Sequence, residues 1–327
     1  MSYDVSLLGK KASAYAPAST GNVSVGFDLL GAALVRVDGE QLGDTVHVQF
    51  AEVEGMSNSG THAHVCPSDR DQNLAWQAYK LFRSRLSSGA QSTFPPVAME
   101  LVKSLPVGSG LGSSACSVVA ALTALNRLFD HYFNDNELLL LMGEVEAGAS
   151  GSLHYDNVAP SYFGGLQLMS PHLEQPIIHL PTPESWYWVV AFPGFSLPTK
   201  EAREALPKQY DKSVAIENAQ LLSAFVAYLY QGNEALAAKT IKDVIAEPYR
   251  AELIKGFGDS KNNLLAKEAL AVGISGAGPT LFALTQDREQ AEQYKQYLEQ
   301  HYIEQAGFVH VCKCAAEGAK DLDVTEE

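Results

Sequence analysis

The chain is short of cysteine: it has four in 327 residues, Cys66, Cys116, Cys312 and Cys314. That is too few for a disulfide framework and points to reduced thiols in a cytoplasmic protein. Positive charge is also scarce, with 23 Lys and Arg against 38 Asp and Glu and a net charge of −15. An acidic excess of this size argues against nucleic acid and anionic membrane surfaces as partners. It does not oppose a nucleotide, which needs only a local cluster of donors and a metal ion. No apolar run reaches the roughly 18 residues of a membrane span. Lys10 and Lys11 are followed by no apolar core, so no secretory signal is expected. Internal repeats and low-complexity tracts are absent. So is the Walker pattern GxxxxGK[ST], which excludes the P-loop form of phosphate cradle.

What the chain does have is enough apolar residue, 46%, to bury one large core or two ordinary ones. Its most informative stretch is Pro106, Val107, Gly108, Ser109, Gly110, Leu111, Gly112, Ser113, Ser114 and Ala115. The stretch lies between a strand expected over Val97 to Val102 and an apolar, Ala-rich helix expected over Cys116 to Phe129. A glycine-rich turn that opens a helix offers free N–H groups and the positive end of the helix dipole, which suits phosphate. A tight turn at a well-packed helix start has the same sequence signature.

Around this stretch the order of elements is mixed. Residues 1 to 11 read as a polar, frayed leader, and 12 to 55 as strands and turns. Residues 56 to 71 read as a polar loop, and 73 to 86 as a helix. A helix is expected over 136 to 149, with Asn134 as N-cap and Glu137 three residues on. Strand-like pieces are expected in 151 to 170, and a strand over Trp186 to Phe192. Helical segments follow within 201 to 206, 214 to 230 and 234 to 255. Gly273 to Leu284 reads as a second glycine turn running into a strand, and a helix and the strand Phe308 to Cys314 close the chain. Without regular βαβ alternation the pattern favours α+β over a doubly wound sheet. Pro171, Pro176, Pro181 and Pro183 suggest a boundary between 170 and 185.

Several residues in this frame can carry chemistry. In the helix 136–149, Leu138, Leu141, Met142, Val145 and Ala149 form the buried stripe. Glu144 lies opposite, whereas Glu146 flanks the stripe. A carboxylate there needs a partner; Mg²⁺ on nucleotide phosphates is one, a Lys or water another. His154, Asp156 and Asn157 fall within four residues, as in either a substrate-facing loop or a solvated turn. Asn22 and Asp28 flank a small-residue loop and suit hydroxyl or ammonium groups. His62, His64 and Cys66 alternate, as do His310, Cys312 and Cys314. Alternation is compatible with metal, but such sets are more often incidental. Gly108-x-Gly110-x-Gly112 has the wrong third spacing for a dinucleotide fingerprint.

The glycine-rich segments, taken together and in order, resemble the GHMP kinases. Pro106 to Ala115 matches that family's P-x-x-x-G-L-G-S-S-A in full, and Gly276-Ala277-Gly278-Pro279-Thr280 resembles its C-terminal glycine motif. Within the family the chain is most similar to the homoserine-phosphorylating branch. The carriers are P-A-S-x-x-N-x-x-x-G-F-D-x-L-G from Pro17 to Gly31, the segment Gly151 to Pro160, and Ala246-Glu247-Pro248-Tyr249-Arg250. The resemblance spans about residues 12 to 314. It departs at Gly21, where Ala is usual and where glycine is expected to loosen the turn slightly.

The resemblance implies an α+β fold in two parts. These are an N-terminal nucleotide-binding α/β half, residues 1–175, and a C-terminal ferredoxin-like α/β sandwich half, residues 176–327, with the active site between them. It implies a homodimer and transfer of phosphate from ATP, with Mg²⁺, to the side-chain hydroxyl of L-homoserine, on the route to threonine. Residues 106–115 would cradle the nucleotide, Ser114 and Glu146 would hold Mg²⁺, and Asn73 and Lys103 would line the adenine pocket. Asn22, Asp28, His154, Asn157, Arg203 and Arg250 would form the substrate site. Several relatives carry an Asp base where this chain has Asn157, and an amide takes no proton at neutral pH. The resemblance therefore implies catalysis by alignment, Mg²⁺ and N–H donors, with Asp156 as the reserve base. Another small-alcohol kinase of this fold and a non-catalytic binding protein are the alternatives.

Overall fold

The computed structural model describes residues 3–148, 154–170 and 176–323, and the backbone of 149–150. Its strands are β1 (Lys11–Pro17), β2 (Ser19–Gly21), β3 (Leu30–Arg36), β4 (Gly43–Phe50), β5 (Gly55–Ser59), β6 (Val97–Val102), β7 (Leu166–Met169), β8 (Ile177–Leu180), β9 (Tyr187–Phe192), β10 (Ala271–Ile274), β11 (Leu281–Thr285), β12 (Phe308–Cys314) and β13 (Lys320–Leu322). They form two sheets. One runs β13-β1-β4-β6-β5 and the other β10-β11-β9-β12-β3-β7-β8, with β2 paired beside β3. All pairs are antiparallel except β5 with β6.

The helices are α1 (Leu74–Arg85), α2 (Ser88–Thr93), α3 (Ser113–Leu128), α4 (Asp135–Ser150), α5 (Val158–Phe163), α6 (Thr199–Glu204), α7 (Lys212–Tyr230), α8 (Glu234–Lys239), α9 (Glu247–Arg250), α10 (Phe257–Ala266) and α11 (Arg288–His301). No helix among the described residues is long and apolar enough to cross a membrane. Helix α3 is buried almost all round. Its run of Ala, Ser and Cys keeps its surface thin, so it packs closely on β1 and β4 on one side and α1 and α4 on the other. Helix α4 is capped as its sequence predicts: Glu137 N–H donates to Asn134 Oδ1 at 3.0 Å, and Asn134 N–H to Glu137 Oε2 at 2.9 Å. Glu144, on the outer face, pairs with Arg85 at 2.7 Å.

The C-terminal part has the order strand, helices, two strands, helix, strand, and its strands lie β12-β9-β11-β10. That is the ferredoxin-like arrangement, with a core of its own around Phe257, Leu264, Tyr294 and Leu298. The two parts interlock, because β3 extends the second sheet and β13 returns to pair with β1.

Three sequence expectations need correction. The leader is pinned, not frayed: Asp4 N–H donates to Thr93 O at 2.9 Å, Gly9 N–H to Phe50 O at 3.0 Å, and Leu7 packs on the core. Part of the polar loop 56–71 is the edge strand β5, whose outward residues are too polar to show a strand's period. The strand-like pieces in 151–170 include helix α5, which at six residues is too short for helical periodicity to be read. Of the two alternating His/Cys sets, the second is packed, with His310 stacked on Phe308 at 4.6 Å and Cys312 buried, and the first lies around the short 3-10 turn Ala63–Val65 and not on a strand. Among the described residues no three His, Cys, Asp or Glu are grouped to hold a metal.

Candidate active site

The glycine loop between β6 and α3 has positive φ at Gly108 (67°), Gly110 (81°) and Gly112 (66°). Gly110 has a second reason to be glycine, since a Cβ there would lie 2.4 Å from Ser275 O and 2.8 Å from Gly278 O. Five successive loop carbonyls are tied outward. Val107 O accepts from Ser196 Oγ at 2.7 Å and Gly110 O from Ser275 Oγ at 2.7 Å. Gly108 O accepts from Leu197 N–H at 2.9 Å, Ser109 O from Thr280 N–H at 3.2 Å, and Leu111 O from Ser19 N–H at 3.1 Å. Among the described residues, the N–H groups of Gly108, Ser109, Gly110, Gly112 and Ser113 donate to no other backbone or side chain. With its carbonyls held away, the loop is a concave row of donors at the positive end of a 16-residue helix, which suits an anion.

Below the loop lies a buried ion pair. Lys103 Nζ contacts Asp44 Oδ2, and donates to Ser113 O and Ser117 Oγ at 2.9 Å each. Asp44 Oδ1 accepts from Ser104 N–H at 2.9 Å and Leu105 N–H at 3.0 Å. One pair thus fixes both ends of the loop. Asn73 caps α1, its Oδ1 accepting from Ala75 N–H at 3.0 Å, and its Nδ2 donates to Asn58 Oδ1 at 3.1 Å. Neither Asn73 nor Lys103 lines the cleft, but Lys103 reaches its wall through Ser113 O.

The loop forms one wall of a cleft of about 280 Å³. Ser114 Oγ donates to Glu146 Oε2 at 3.0 Å. Burial pushes the Glu146 carboxyl up to about 7, although the Ser114 hydrogen bond and Lys103 pull the other way. Two adjacent hard oxygen donors beside an anion cradle fit Mg²⁺. Opposite, Asp28 takes a fork from Arg203, with nitrogen–oxygen distances of 2.9 and 3.2 Å. His154 Nδ1 is 3.7 Å from Asp28, and burial lowers its pKa. Arg250 is buried, donating to Ala202 O at 2.9 Å and Gly276 O at 3.2 Å. Its guanidinium lies 5.4 Å from the centre of the Phe27 ring.

The loop after β2 aims these groups. Asn22, Val23 and Ser24 have φ of 67°, 46° and 54°, three left-handed residues in succession. Asn22 holds the turn, donating to Gly276 O at 2.9 Å and accepting from Asp28 N–H at 2.8 Å. Asn157, at the start of α5, accepts at Oδ1 from Ser19 Oγ (3.1 Å) and donates from Nδ2 to Asp156 Oδ2 (3.2 Å). Burial, then the Asp28 charge, push Asp156 up to about 7, with Arg203 opposing.

The cleft therefore brings together Asn22, Asp28, Glu146, His154, Asn157, Arg203, Arg250, Ser113 and Ser114 from the sequence reading. Pro106, Leu111 and Ala115 support the loop without lining it. Residues 151–153 of the quoted segment lie outside the described residues. Sequence reasoning missed Ser19, Ser196 and Ser275, which act by fixing other residues. Ser196 and Ser275 carry no spacing signal that could have found them, whereas Ser19 is the serine of the Pro17-Ala18-Ser19 pattern.

An N–H-lined loop opening a helix and a charged subsite across the cleft, carried on this two-part fold, define a kinase for a small molecule. The pattern of the GHMP kinases N terminal domain matches residues 73–165, and that of the GHMP kinases C terminal domain matches 225–304. A solved homoserine kinase from Cytophaga hutchinsonii is 32% identical, with a TM-score of 0.84 over 95% of this chain and 97% of that one. A putative homoserine kinase from Listeria monocytogenes (21% identity, TM-score 0.72, 96% and 100% covered) shares the fold. So does L. major mevalonate kinase in complex with R-mevalonate (16%, 0.67, 97% and 100%). The chain belongs to the GHMP kinase family.

Proposed function

We propose that the protein transfers phosphate from ATP to the side-chain hydroxyl of L-homoserine, giving O-phospho-L-homoserine and ADP, a step toward threonine. One observation carries the substrate reading. A carboxylate, Asp28, and two guanidinium groups, Arg203 and Arg250, share the end of the cleft that faces the phosphate loop. A zwitterion matches that charge set, whereas a sugar or mevalonate does not. The identity to a solved homoserine kinase supports the same substrate. In this reading Arg203 and Arg250 grip the carboxylate, Asp28 takes the ammonium, and Asn22 and His154 frame the site. Asn157 donates to the reacting hydroxyl. Residues up to 175 supply the loop, and those from 176 supply both arginines.

Ser114 Oγ and Glu146 are the groups that would hold Mg²⁺, which when bound offsets charge on the transferred phosphate. Lys103 and Asn73 support the site from beneath, since their polar atoms are already engaged.

The test is incubation with ATP, Mg²⁺ and a panel of L-homoserine, L-threonine, L-serine, galactose and mevalonate, reading ADP release and product mass. Transfer confined mainly to homoserine is expected. Transfer to another alcohol overturns the roles of Asp28, Arg203 and Arg250 but keeps the phosphate loop. No transfer to any of them sinks the kinase reading.

A further inference from the structure

We propose that Asp243 is the positioning residue of the carboxylate grip. It fixes the turn that carries Arg250 and supplies that residue's counter-charge without blocking its guanidinium. This role rests on the proposed function, in which Arg250 grips the substrate carboxylate.

The two arginines of the cleft are held in different ways. Arg203 is forked onto Asp28, so its partner has to be displaced before a substrate can take its place. Arg250 is 2% exposed, and its hydrogen bonds among the described residues go to two carbonyls, from Nε to Ala202 O and from Nη1 to Gly276 O. An arginine buried without a carboxylate in contact is costly. Burial pulls its pKa down, and the first charge to offset this is Asp243, ahead of Asp28.

Asp243 stands in the turn that leads into α9, and its carboxylate is committed to the backbone. Oδ1 accepts from the N–H groups of Ile245 at 2.8 Å and Ala246 at 2.7 Å, and Oδ2 from Glu247 N–H at 3.0 Å. Bonds to an ionised acceptor are roughly twice as strong as neutral ones. Ala246 O then accepts from Arg250 N–H at 3.0 Å, which joins the capped turn to the arginine's own backbone. Two side chains from elsewhere steady the same turn. Tyr210 Oη donates to Ile245 O at 3.2 Å, and Lys261 pairs with Glu247.

A carboxylate suits this seat best. Both of its oxygens accept, whereas an amide would turn a donor toward Glu247 N–H. With both oxygens engaged, Asp243 cannot swing onto the guanidinium as Asp28 does on Arg203. Its charge therefore acts on Arg250 at a distance and leaves that residue's cleft side open to a ligand. A substrate carboxylate thus meets one arginine that must exchange partners and one that is already set. A donor held in place before the ligand arrives binds it more tightly, because less ordering is left to binding.

The experiment compares wild type, Asp243→Asn, Arg250→Met and the double variant in the full chain. The readouts are kcat, KM of ATP, KM of homoserine, and competition against homoserine by 3-aminopropan-1-ol, which is homoserine without its carboxylate. Asp243→Asn can keep the two bonds to Oδ1 while removing the charge and the third bond. It should raise KM of homoserine about tenfold and leave kcat, KM of ATP and the affinity for 3-aminopropan-1-ol within about twofold. In the double variant it should add nothing to the effect of Arg250→Met, since residues that act through one contact are not additive. A merely structural role would weaken all three ligands together, and that outcome overturns the role of Asp243 alone. So does a KM of homoserine within about twofold of wild type, or a full, roughly tenfold effect of Asp243→Asn in the Arg250→Met background. If Asp243→Asn does not fold, Asp243→Ser keeps a capping acceptor without the charge, and the same outcomes decide. A wild type that does not phosphorylate homoserine overturns the proposed function and this role with it.

Discussion

Asp28 and Arg203 hold each other through two parallel contacts, 2.9 and 3.2 Å, across the cleft between the N-terminal loop and α6. A zwitterionic substrate has to enter this pair, its carboxylate replacing Asp28 on Arg203 and its ammonium replacing Arg203 on Asp28. The exchange conserves charge, so a ligand with both groups opens the pair at lower cost than a ligand with one. Arg203→Lys replaces a planar fork by a point charge. Loss of a charge-assisted pair of about 2 kcal/mol should raise KM for homoserine roughly thirtyfold and leave KM for ATP within about twofold. Asp28→Asn should weaken homoserine but tighten inhibition by 4-hydroxybutanoate, which lacks the ammonium. Equal weakening of both ligands by Asp28→Asn would sink the exchange.

The buried Asp44–Lys103 pair leads to a separate expectation. Asp44→Ala leaves an ammonium in the core without its carboxylate, which costs about 3–5 kcal/mol. Lys103→Met added to Asp44→Ala removes the stranded charge and should restore part of the stability in urea unfolding. It cannot restore the bonds to Ser104, Leu105 and Ser113 that fix the two ends of the loop. KM for ATP should therefore stay raised about tenfold in the recovered double variant. A normal KM for ATP in that variant would mean the pair serves stability only.

Much of this was legible from sequence where the signal was local. β6, the Asn134–Glu137 cap and the helix-opening glycine loop follow from alternation, capping chemistry and glycine spacing. The side of α4 that carries Glu146 followed from the helical wheel. Placement that depends on distant segments was not legible. Lys103 has no partner legible in sequence, because β4 brings Asp44 beneath it from 59 residues away. Ser275 and Ser196 become loop supports only once the C-terminal sheet lies against the N-terminal part. β13 is a three-residue strand whose existence depends on the exposed edge of β1.

Gly110 separates backbone strain from collision. An Ala there meets two backbone oxygens, Ser275 O at 2.4 Å and Gly278 O at 2.8 Å, neither of which can turn aside. Gly39 has nearly the same φ, 84°, with nothing within 4 Å of a Cβ. Gly39→Ala should cost about 1–2 kcal/mol from the left-handed backbone alone and leave ATP binding intact. Gly110→Ala should lose more stability and abolish the rise in Tm that ATP produces. Equal behaviour of the two variants would show that the loop does not need its close approach to the C-terminal turn.

Asp156 links the chemistry of the cleft to stability. Its carboxyl rises from 3.8 to about 7 on folding, first through burial and then through Asp28. Between those values the folded chain binds a proton that the unfolded chain does not. Stability from this group is therefore greatest below about pH 4, falls as pH rises, and is fully lost above about 7. At about 1.4 kcal/mol per pKa unit the loss is on the order of 4 kcal/mol. Asp156→Asn cannot ionise, so the melting difference between variant and wild type should be small near pH 3 and grow as pH rises through 5. At pH 8 it should favour the variant by a few degrees. Glu146 has a similar shift, but it is present in both proteins and cancels in the difference. A melting difference that does not change with pH would mean that Asp156 is already ionised across this range and that its burial imposes no cost.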